Sequence, residues 1–380
     1  MRDILSDLRR WHTEGTPVGL ATVVGVQQSA PRQPGASMAL AADGTVMGSV
    51  SGGCVEGAVV EVAQQVLADG APQLSRYGFS DDEAFAVGLT CGGQIDIFVE
   101  RVDPAVLPGL PAIADAVAAG RPVAVATVLT VPDAPGPAHG VRPGAKLIVW
   151  PDSVDGTLGN EGIDAAVTDD ARGFLEQGIT GQRRYGARGE RRLEDLTVFV
   201  EALAPRPRML VFGAIDFASA VARVGVLLGY HVTVCDARAV FATPLRFPQA
   251  HEVVVEWPHR YLARTRVDSR TVICVLTHDP KFDVPLLEVA LRTDATYIGA
   301  MGSRRTHEDR LDRLRERGLT DEELVRLHSP IGLDLGARTP EETAVSVAAE
   351  IIAERWGGSG RPLSETEGQI HRPGQALVSP

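Results

Sequence analysis

Along the first half of the chain, apolar residues fall in short runs broken by Pro, Gly and Asp-Gly, and the same succession of runs occurs twice. One copy opens T-P-V-G-L-A-T-V-V from Thr16, the other R-P-V-A-V-A-T-V-L from Arg121. Each continues with a Pro-Gly turn and an apolar run, P-G-A-S-M-A-L from Pro34 and P-G-A-K-L-I-V-W from Pro143. Each then has an Asp-Gly pair, Asp43-Gly44 and Asp155-Gly156, which predicts hairpin turns because Gly reaches positive φ without steric cost. Helical patterns follow near residues 54–69 and 163–177, then an R-Y-G triplet at 76–78 and 184–186. Both copies close on a strand, I-D-I-F-V-E-R from Ile95 and T-V-F-V-E-A-L from Thr197. The predicted order in each is strand, strand, strand, helix, strand.

After the linker A-P-R-P-R the pattern changes. Met209–Phe212 is a short apolar run ending at Gly213; a helical stretch runs to Gly229, and the strand H-V-T-V-C then leads into Asp236. This is a βαβ unit opening a doubly wound domain. Further strands are expected at 253–257, 271–277 and 295–299, with helices between. A last helix starts at Thr339-Pro340-Glu341-Glu342, where Thr caps, Pro pre-sets the first turn and the glutamates face the positive end of the helix dipole. The expected class is α/β: an N-terminal mixed α+β region with a degenerate internal repeat, then a C-terminal Rossmann-like, doubly wound parallel sheet. The expected divisions are 1–105, 106–203, 207–356 and a tail, 357–380, whose Gly/Pro/Ser content predicts disorder.

Composition narrows the function classes. The 380 residues are 44% hydrophobic and 23% charged, with a formal net charge of −12 and no long basic run, which argues against a nucleic-acid partner. No apolar stretch approaches the roughly 20 residues that span a bilayer, so no membrane partner is expected. The N-terminus, M-R-D-I-L-S-D-L-R-R-W, reads as a short amphipathic helix rather than a signal peptide, and a cytoplasmic protein is expected. Four widely spaced cysteines form no disulfide framework, and neither C-x-x-C nor H-E-x-x-H supports a zinc site.

Candidate chemistry lies where the two copies differ. Copy one has Ser51-Gly52-Gly53-Cys54 at its helix entrance, and copy two has Gly159-Asn160-Glu161-Gly162. Copy one has Leu89-Thr90-Cys91-Gly92-Gly93 before its last strand, and copy two has Glu190-Arg191-Arg192-Leu193. Glycine-flanked cysteines that the scaffold does not need point to a ligand, since such turns expose backbone N–H groups and admit close approach. A contact between the copies, or a cysteine acting as a small buried hydrophobe, would also account for them.

In the second half, the βαβ turn reads Gly213-Ala214-Ile215-Asp216-Phe217-Ala218. Gly213, Ala218 and Asp236 fit a dinucleotide fingerprint; Ile215 replaces its middle glycine, and Asp216 places a negative charge, or a helix cap, where a phosphate would sit. Both features argue against NAD(P). The loop Thr277–Lys281, with His278, and the helix start Gly302-Ser303-Arg304-Arg305 suit an anionic group better. His328–Asp334 reads as a further loop able to return toward that cleft.

Taken as a set, A-T-V-V with S-A-P-R (Ala21–Val24, Ser29–Arg32), G-S-V-S-G-G-C-V-E-G (Gly48–Gly57), G-L-T-C-G-G (Gly88–Gly93), L-T-H-D-P-K (Leu276–Lys281), Y-I-G-A-M-G-S-R-R-T (Tyr297–Thr306) and P-I-G-L-D-L-G-A-R-T-P-E-E (Pro330–Glu342) resemble the XdhC/CoxI family, the xanthine dehydrogenase accessory factors. The resemblance implies an accessory protein rather than an enzyme. Such a chaperone binds molybdenum cofactor, protects it during sulfuration and delivers it to a molybdenum hydroxylase of the xanthine or carbon monoxide dehydrogenase type. It implies Cys54 and Cys91 as contacts to the cofactor, including its molybdenum, within the turns of Gly52, Gly53, Gly92 and Gly93. Arg32, His278, Gly302, Ser303, Arg304 and Arg305 would hold its other parts. A cysteine desulfurase is a candidate further partner, and a homodimer is compatible with the layered fold. The turn at Gly213–Ala218 departs from the family's G-A-G-H-V-A pattern. The alternative reading of the residues is an NAD(P)-dependent oxidoreductase with a redox-active cysteine.

Overall fold

The computed structural model describes residues 1–27, 32–78, 93–132 and 140–367. The chain divides into two units, one covering Met1–Pro205 and the second starting at Arg206. Among the described residues no helix is long and apolar enough to cross a membrane.

The first unit opens on a short 3-10 turn, Arg2–Ile4, and α1 (Leu5–Thr13), whose Leu5, Leu8 and Trp11 are buried, as the amphipathic N-terminus predicts. Copy one then forms β1 (Val18–Gln27), β2 (Ser37–Ala41), β3 (Val46–Gly48), α2 (Glu56–Asp69), β4 (Gln73–Tyr77) and β5 (Gln94–Val102). After α3 (Leu110–Ala118), copy two forms β6 (Val123–Thr130), β7 (Lys146–Val149), β8 (Val154–Thr157), α4 (Glu161–Gln177), β9 (Gly181–Tyr185) and β10 (Leu196–Leu203). The two five-stranded antiparallel sheets have equivalent orders, β3-β2-β1-β5-β4 and β8-β7-β6-β10-β9. The repeat is therefore real, with one correction. The R-Y-G triplets lie between helix and closing strand as expected, but their Arg-Tyr pairs end an additional edge strand in each copy, β4 and β9.

Period-two alternation layers this unit. On β1, Ala21 and Val23 pack with Val59, Ala63 and Val66 of α2, while Val24 meets Phe98, Leu129 and Phe199 between the sheets. On β6, Ala124, Ala126 and Val128 pack with Ile163, Val167 and Ala171 of α4. Each fully buried aliphatic side chain stabilises the fold by roughly 1.5–3 kcal/mol. Among the described residues, two ion pairs enter the inter-sheet layer. Lys146 Nζ lies 2.7 Å from Glu100, and the Met1 ammonium lies 2.8 Å from Glu201.

A second correction concerns the Asp-Gly pairs. Asp43-Gly44 turns between β2 and β3 as expected. Asp155-Gly156 lies inside β8, and the turn is made earlier, where Trp150 N donates to Ser153 O at 2.9 Å. Gly156 has φ +86°, and a Cβ there would lie 2.6 Å from the Lys146 carbonyl oxygen, so close strand approach rather than a turn requires glycine.

The second unit is a six-stranded parallel sheet, ordered β13-β12-β11-β14-β15-β16. In chain order its elements are β11 (Arg208–Phe212), α5 (Asp216–Leu227), β12 (His231–Asp236), β13 (Glu252–Val255), α6 (Pro258–Arg264), β14 (Val272–Val275), α7 (Pro280–Ala290), β15 (Tyr297–Ala300), α8 (Arg304–Glu316), α9 (Asp321–Leu324), β16 (Leu327–His328) and α10 (Pro340–Trp356). The strand order reverses between β11 and β14, the topological switch of a Rossmann-like sheet. Met209 and Val211 face α5 and α10, while Leu210 and Phe212 face the side of α6, α7 and α8. Apolar runs buried on both faces are what a parallel sheet demands. His328 belongs to the short strand β16, paired with Gly299 of β15, and not to a free loop. The loop after it turns back onto β15 through Ile331 N to Ala300 O at 3.0 Å.

Candidate functional site

In copy one, the end of β3, the start of β2 and the start of β5 come to one end of the sheet, because β2 pairs antiparallel with β1 and β3, and β1 antiparallel with β5. That end carries the Cys54 loop, the turn containing Arg32 and the buried Gly93. Cys91 and Gly92 lie outside the described residues. Arg32 is paired with Asp3 at 3.0 Å.

The loop from Ser49 to Val55 is pinned by buried Val50 and Val55 and by one carboxylate. Glu56, the first residue of α2, accepts from Ser49 Oγ (2.7 Å), Ser51 N (2.9 Å), Ser51 Oγ and Gly53 N (2.8 Å). Ser51 Oγ accepts from the backbone N–H of Cys54 (2.9 Å) and Val55 (3.0 Å), and Ser49 Oγ from Gly52 N (2.9 Å). Burial pushes the Glu56 carboxyl up, but the Ser51 and Ser49 hydroxyls and the backbone N–H groups outweigh it and bring it down to about 2. This corrects the expectation that the glycine turn exposes N–H donors. From Ser51 to Val55 every backbone N–H is already used, so the loop is not a phosphate cradle. What it leaves open is the glycine face. Gly52 and Gly53 have φ of +77° and +114°, and a Cβ at either would meet nothing within 4 Å among the described residues. The half-buried Cys54 sits beside that opening.

Copy two keeps the brace and loses the opening. Asp164 accepts from Thr157 Oγ1 at 2.6 Å and Leu158 N at 2.7 Å, as Glu56 does from Ser49 and Ser51. In the place of Cys54 stands Gly162, where a Cβ would overlap the carbonyl oxygen of Arg188. Asn160, in the place of Gly52, caps α4 and donates to Ala187 O at 3.0 Å. The two remaining cysteines differ in kind from Cys54. Cys235 and Cys274 are buried in the second unit, and burial pushes each thiol up to about 12. They are core residues.

In the second unit, the loops at the carboxyl ends of neighbouring strands gather His278 after β14 and Gly302, Ser303, Arg304 and Arg305 after β15. His278, Ser303, Arg304 and Arg305 are exposed. Ser303 caps α8, accepting from Thr306 N at 3.1 Å, and Asp279 caps α7 and pairs with Lys281 at 2.8 Å. At the βαβ turn, Gly213 has φ +111°, and a Cβ there would lie 3.0 Å from Thr277 N. Asp236, at the end of β12, is already engaged. It accepts from Ala214 N at 2.8 Å and binds Arg238 through both oxygens, at 2.9 and 2.7 Å. Burial raises the Asp236 carboxyl, yet Arg238 and the N–H of Ala214 hold it below the ordinary range. Asp216 makes no cap hydrogen bond; it is exposed in the first turn of α5, 3.3 Å from Arg246. Among the described residues, no group of three or more His, Cys, Asp or Glu is placed to hold a metal. The two braces, Glu56 and Asp164, escape a reading by motif, since their only signal is an acid in the first turn of each repeat helix.

The model of the XdhC and CoxI family matches residues 11–78 and 116–186, one segment in each copy of the repeat. The model described as the XdhC Rossmann domain matches residues 209–351. A Bacillus subtilis protein described as a probable xanthine dehydrogenase subunit is 29% identical over 88% of this chain and 92% of its own length. The Escherichia coli molybdenum cofactor insertion chaperone PaoD is 27% identical over 88% of this chain and 83% of its own. A crystal structure from Bacillus halodurans, described as a xanthine dehydrogenase, shares the fold with a TM-score of 0.67, at 23% identity over 95% of this chain and 97% of that one. With both copies of the repeat and the parallel-sheet unit accounted for, the chain belongs to the XdhC and CoxI family.

Proposed function

We propose that this protein is a molybdenum-cofactor chaperone that shelters the cofactor during sulfuration and passes it to a molybdenum hydroxylase in the cytoplasm. The observation that carries this reading is the difference between the two helix entrances. Both are braced by a carboxylate, but among the described residues only copy one places a thiol beside two positive-φ glycines at which a Cβ would meet nothing within 4 Å. A thiolate is a soft ligand suited to molybdenum and its sulfur groups. Since the N–H donors of that loop are spent, Cys54, with Cys91, takes the metal end of the cofactor rather than a phosphate. Arg32 is assigned to the pterin beside Cys54; in the second unit, taken by itself, His278 and the Gly302–Arg305 segment are assigned to anionic groups of the cofactor. The insertion-chaperone relative supports the class of cargo. Sulfur is supplied by a cysteine desulfurase partner in this reading, and the carrier acts by moderate affinity, since tight retention opposes transfer.

An NAD(P)-dependent oxidoreductase is disfavoured by the state of Asp236. In a dinucleotide site that acid binds the ribose, whereas here its oxygens are held by Arg238 and the Ala214 N–H. Ile215 adds side-chain bulk where the pyrophosphate would lie.

The test is delivery. The protein, purified from cells that make the cofactor, is mixed with a molybdenum hydroxylase made in cofactor-deficient cells, and hydroxylase activity is followed. Activation that depends on this protein supports the reading. No activation, together with saturable quenching on NADH titration, would transfer the case to the oxidoreductase.

A further inference from the structure

Beneath the strand-end loops of the second unit lies a charged pair that the roles above leave unused. Arg310 of α8 and Asp283 of α7 meet at 3.1 Å, with side chains only 3% and 4% exposed. Arg310 also donates to the Met301 carbonyl at 2.8 Å and to Ser329 Oγ at 3.0 Å. Asp283 accepts from the Thr277 hydroxyl. Thr277, Met301 and Ser329 follow three different strands, β14, β15 and β16. A Cβ at Gly302 would lie 3.5 Å from Arg310 Nη2, so the loop backbone passes directly over the guanidinium.

Stability does not explain such a pair. Removing two charges from water costs about as much as their attraction returns, and apolar residues of similar volume commonly serve as well. Geometry does explain it. A planar guanidinium with five donors can hold a carboxylate, a carbonyl and a hydroxyl at fixed angles, which a lysine cannot. All three strand-end segments thereby refer to one rigid point.

We propose that Arg310 and Asp283 are positioning residues, holding the loops after β14, β15 and β16 in the arrangement that grips the anionic part of the cofactor. This rests on the chaperone reading, and it adds residues that touch no ligand themselves. Holding loops that carry ligand contacts within a narrow geometry is a common source of affinity.

The test compares the full-length wild type with Arg310→Met combined with Asp283→Leu, which removes both charges at once, and with Arg310→Lys. Thermal unfolding checks the fold, hydrogen exchange reads the loops, and bound pterin is quantified after purification from cofactor-making cells. The double variant should keep a near wild-type Tm, with exchange in 301–306 and 327–332 faster by about tenfold and unchanged in β14. Pterin retention should fall by about tenfold, and Arg310→Lys should not restore it, because the fork geometry is lost. Loop exchange or pterin retention at the wild-type level in the folded double variant overturns the proposal. Absence of pterin on the wild type would sink the chaperone reading instead, while exchange alone still decides whether the pair positions the loops. Should the double variant not fold, Ser329→Ala and Thr277→Val trim the same contacts and leave the charges paired; unchanged exchange in both overturns it equally.

Discussion

Glu56 and Asp164 occupy the same place in the two copies of the internal repeat, each a carboxylate that accepts a hydroxyl and a backbone N–H from the segment entering its helix. The brace is thus part of the scaffold. The thiol and the glycine pair beside Glu56 were added to it or kept on it in one copy alone.

Replacing either carboxylate should cost stability in its own copy. Glu56→Gln and Asp164→Asn each put an amide donor against N–H groups, and a loss of about 1–3 kcal/mol is expected from urea unfolding at neutral pH. Acid titration reads the Glu56 brace further. The Glu56 carboxyl is depressed to about 2, so its contribution is full above the unfolded carboxylate value, about 4.3, and disappears as pH falls through the folded value. The gap between wild type and Glu56→Gln should therefore close between about pH 5 and 2.

Thiol labelling should separate the cysteines by environment. In the native protein iodoacetamide should modify Cys54, while Cys235 and Cys274 remain unlabelled until the chain unfolds, because burial keeps both protonated and covered. Peptide mass spectrometry reads each site separately. Early labelling at Cys274 would show that the parallel-sheet core is looser than its packing implies.

His328 gives the second unit a pH dependence of opposite sign. The Glu350 carboxylate, 3.7 Å away, raises the imidazole above its ordinary value, while Tyr297 stacks on the ring and Glu354 adds negative charge. Burial pushes Glu350 up, but His328, Tyr297 and the Gly332 N–H together hold it below the carboxylate range. The stabilising pair is present below the unfolded histidine value, about 6.5, and lost as pH rises through the folded one; at the acid end it is lost as Glu350 protonates. His328→Gln should lower Tm most between about pH 5 and 6 and least at about pH 9.

The two helix entrances should respond differently to a single methyl group. At Gly162 a Cβ overlaps the Arg188 carbonyl, so Gly162→Ala should cost about 1–3 kcal/mol or more by overpacking. At Gly52 a Cβ would meet none of the described residues within 4 Å, so the cost against them is that of the positive φ, about 1–2 kcal/mol. Gly52→Ala should still fold and lose cofactor, since it narrows the approach to Cys54. Equal binding in a folded Gly52→Ala would remove the glycine face from the site.

How far the sequence carries depends on how local each cause is. The repeat, the parallel-sheet unit and the ends of α10 follow from apolar runs and caps a few residues apart, and they are legible. β4 and β9 are not, because Gln73–Tyr77 and Gly181–Tyr185 are mostly polar edge strands whose pairing, not composition, makes them strands. Asp155-Gly156 misleads because an Asp-Gly pair marks a turn only when no nearer turn is available, and Trp150–Ser153 already supplies one. Ser51, Gly53 and Cys54 can be picked out by type, but not the consumption of their N–H groups by Glu56 and Ser51. The Arg310–Asp283 pair joins residues far apart in the chain and leaves no pattern to read.

The most direct test of the central claim is cofactor retention. Wild type and Cys54→Ser are purified anaerobically from cells that make molybdenum cofactor and lack a recipient hydroxylase, with folding checked by circular dichroism, and pterin and molybdenum are quantified on each. The account predicts both on the wild type and their loss from the folded Cys54→Ser protein. Pterin and molybdenum retained equally by both, or absent from the wild type, would contradict it.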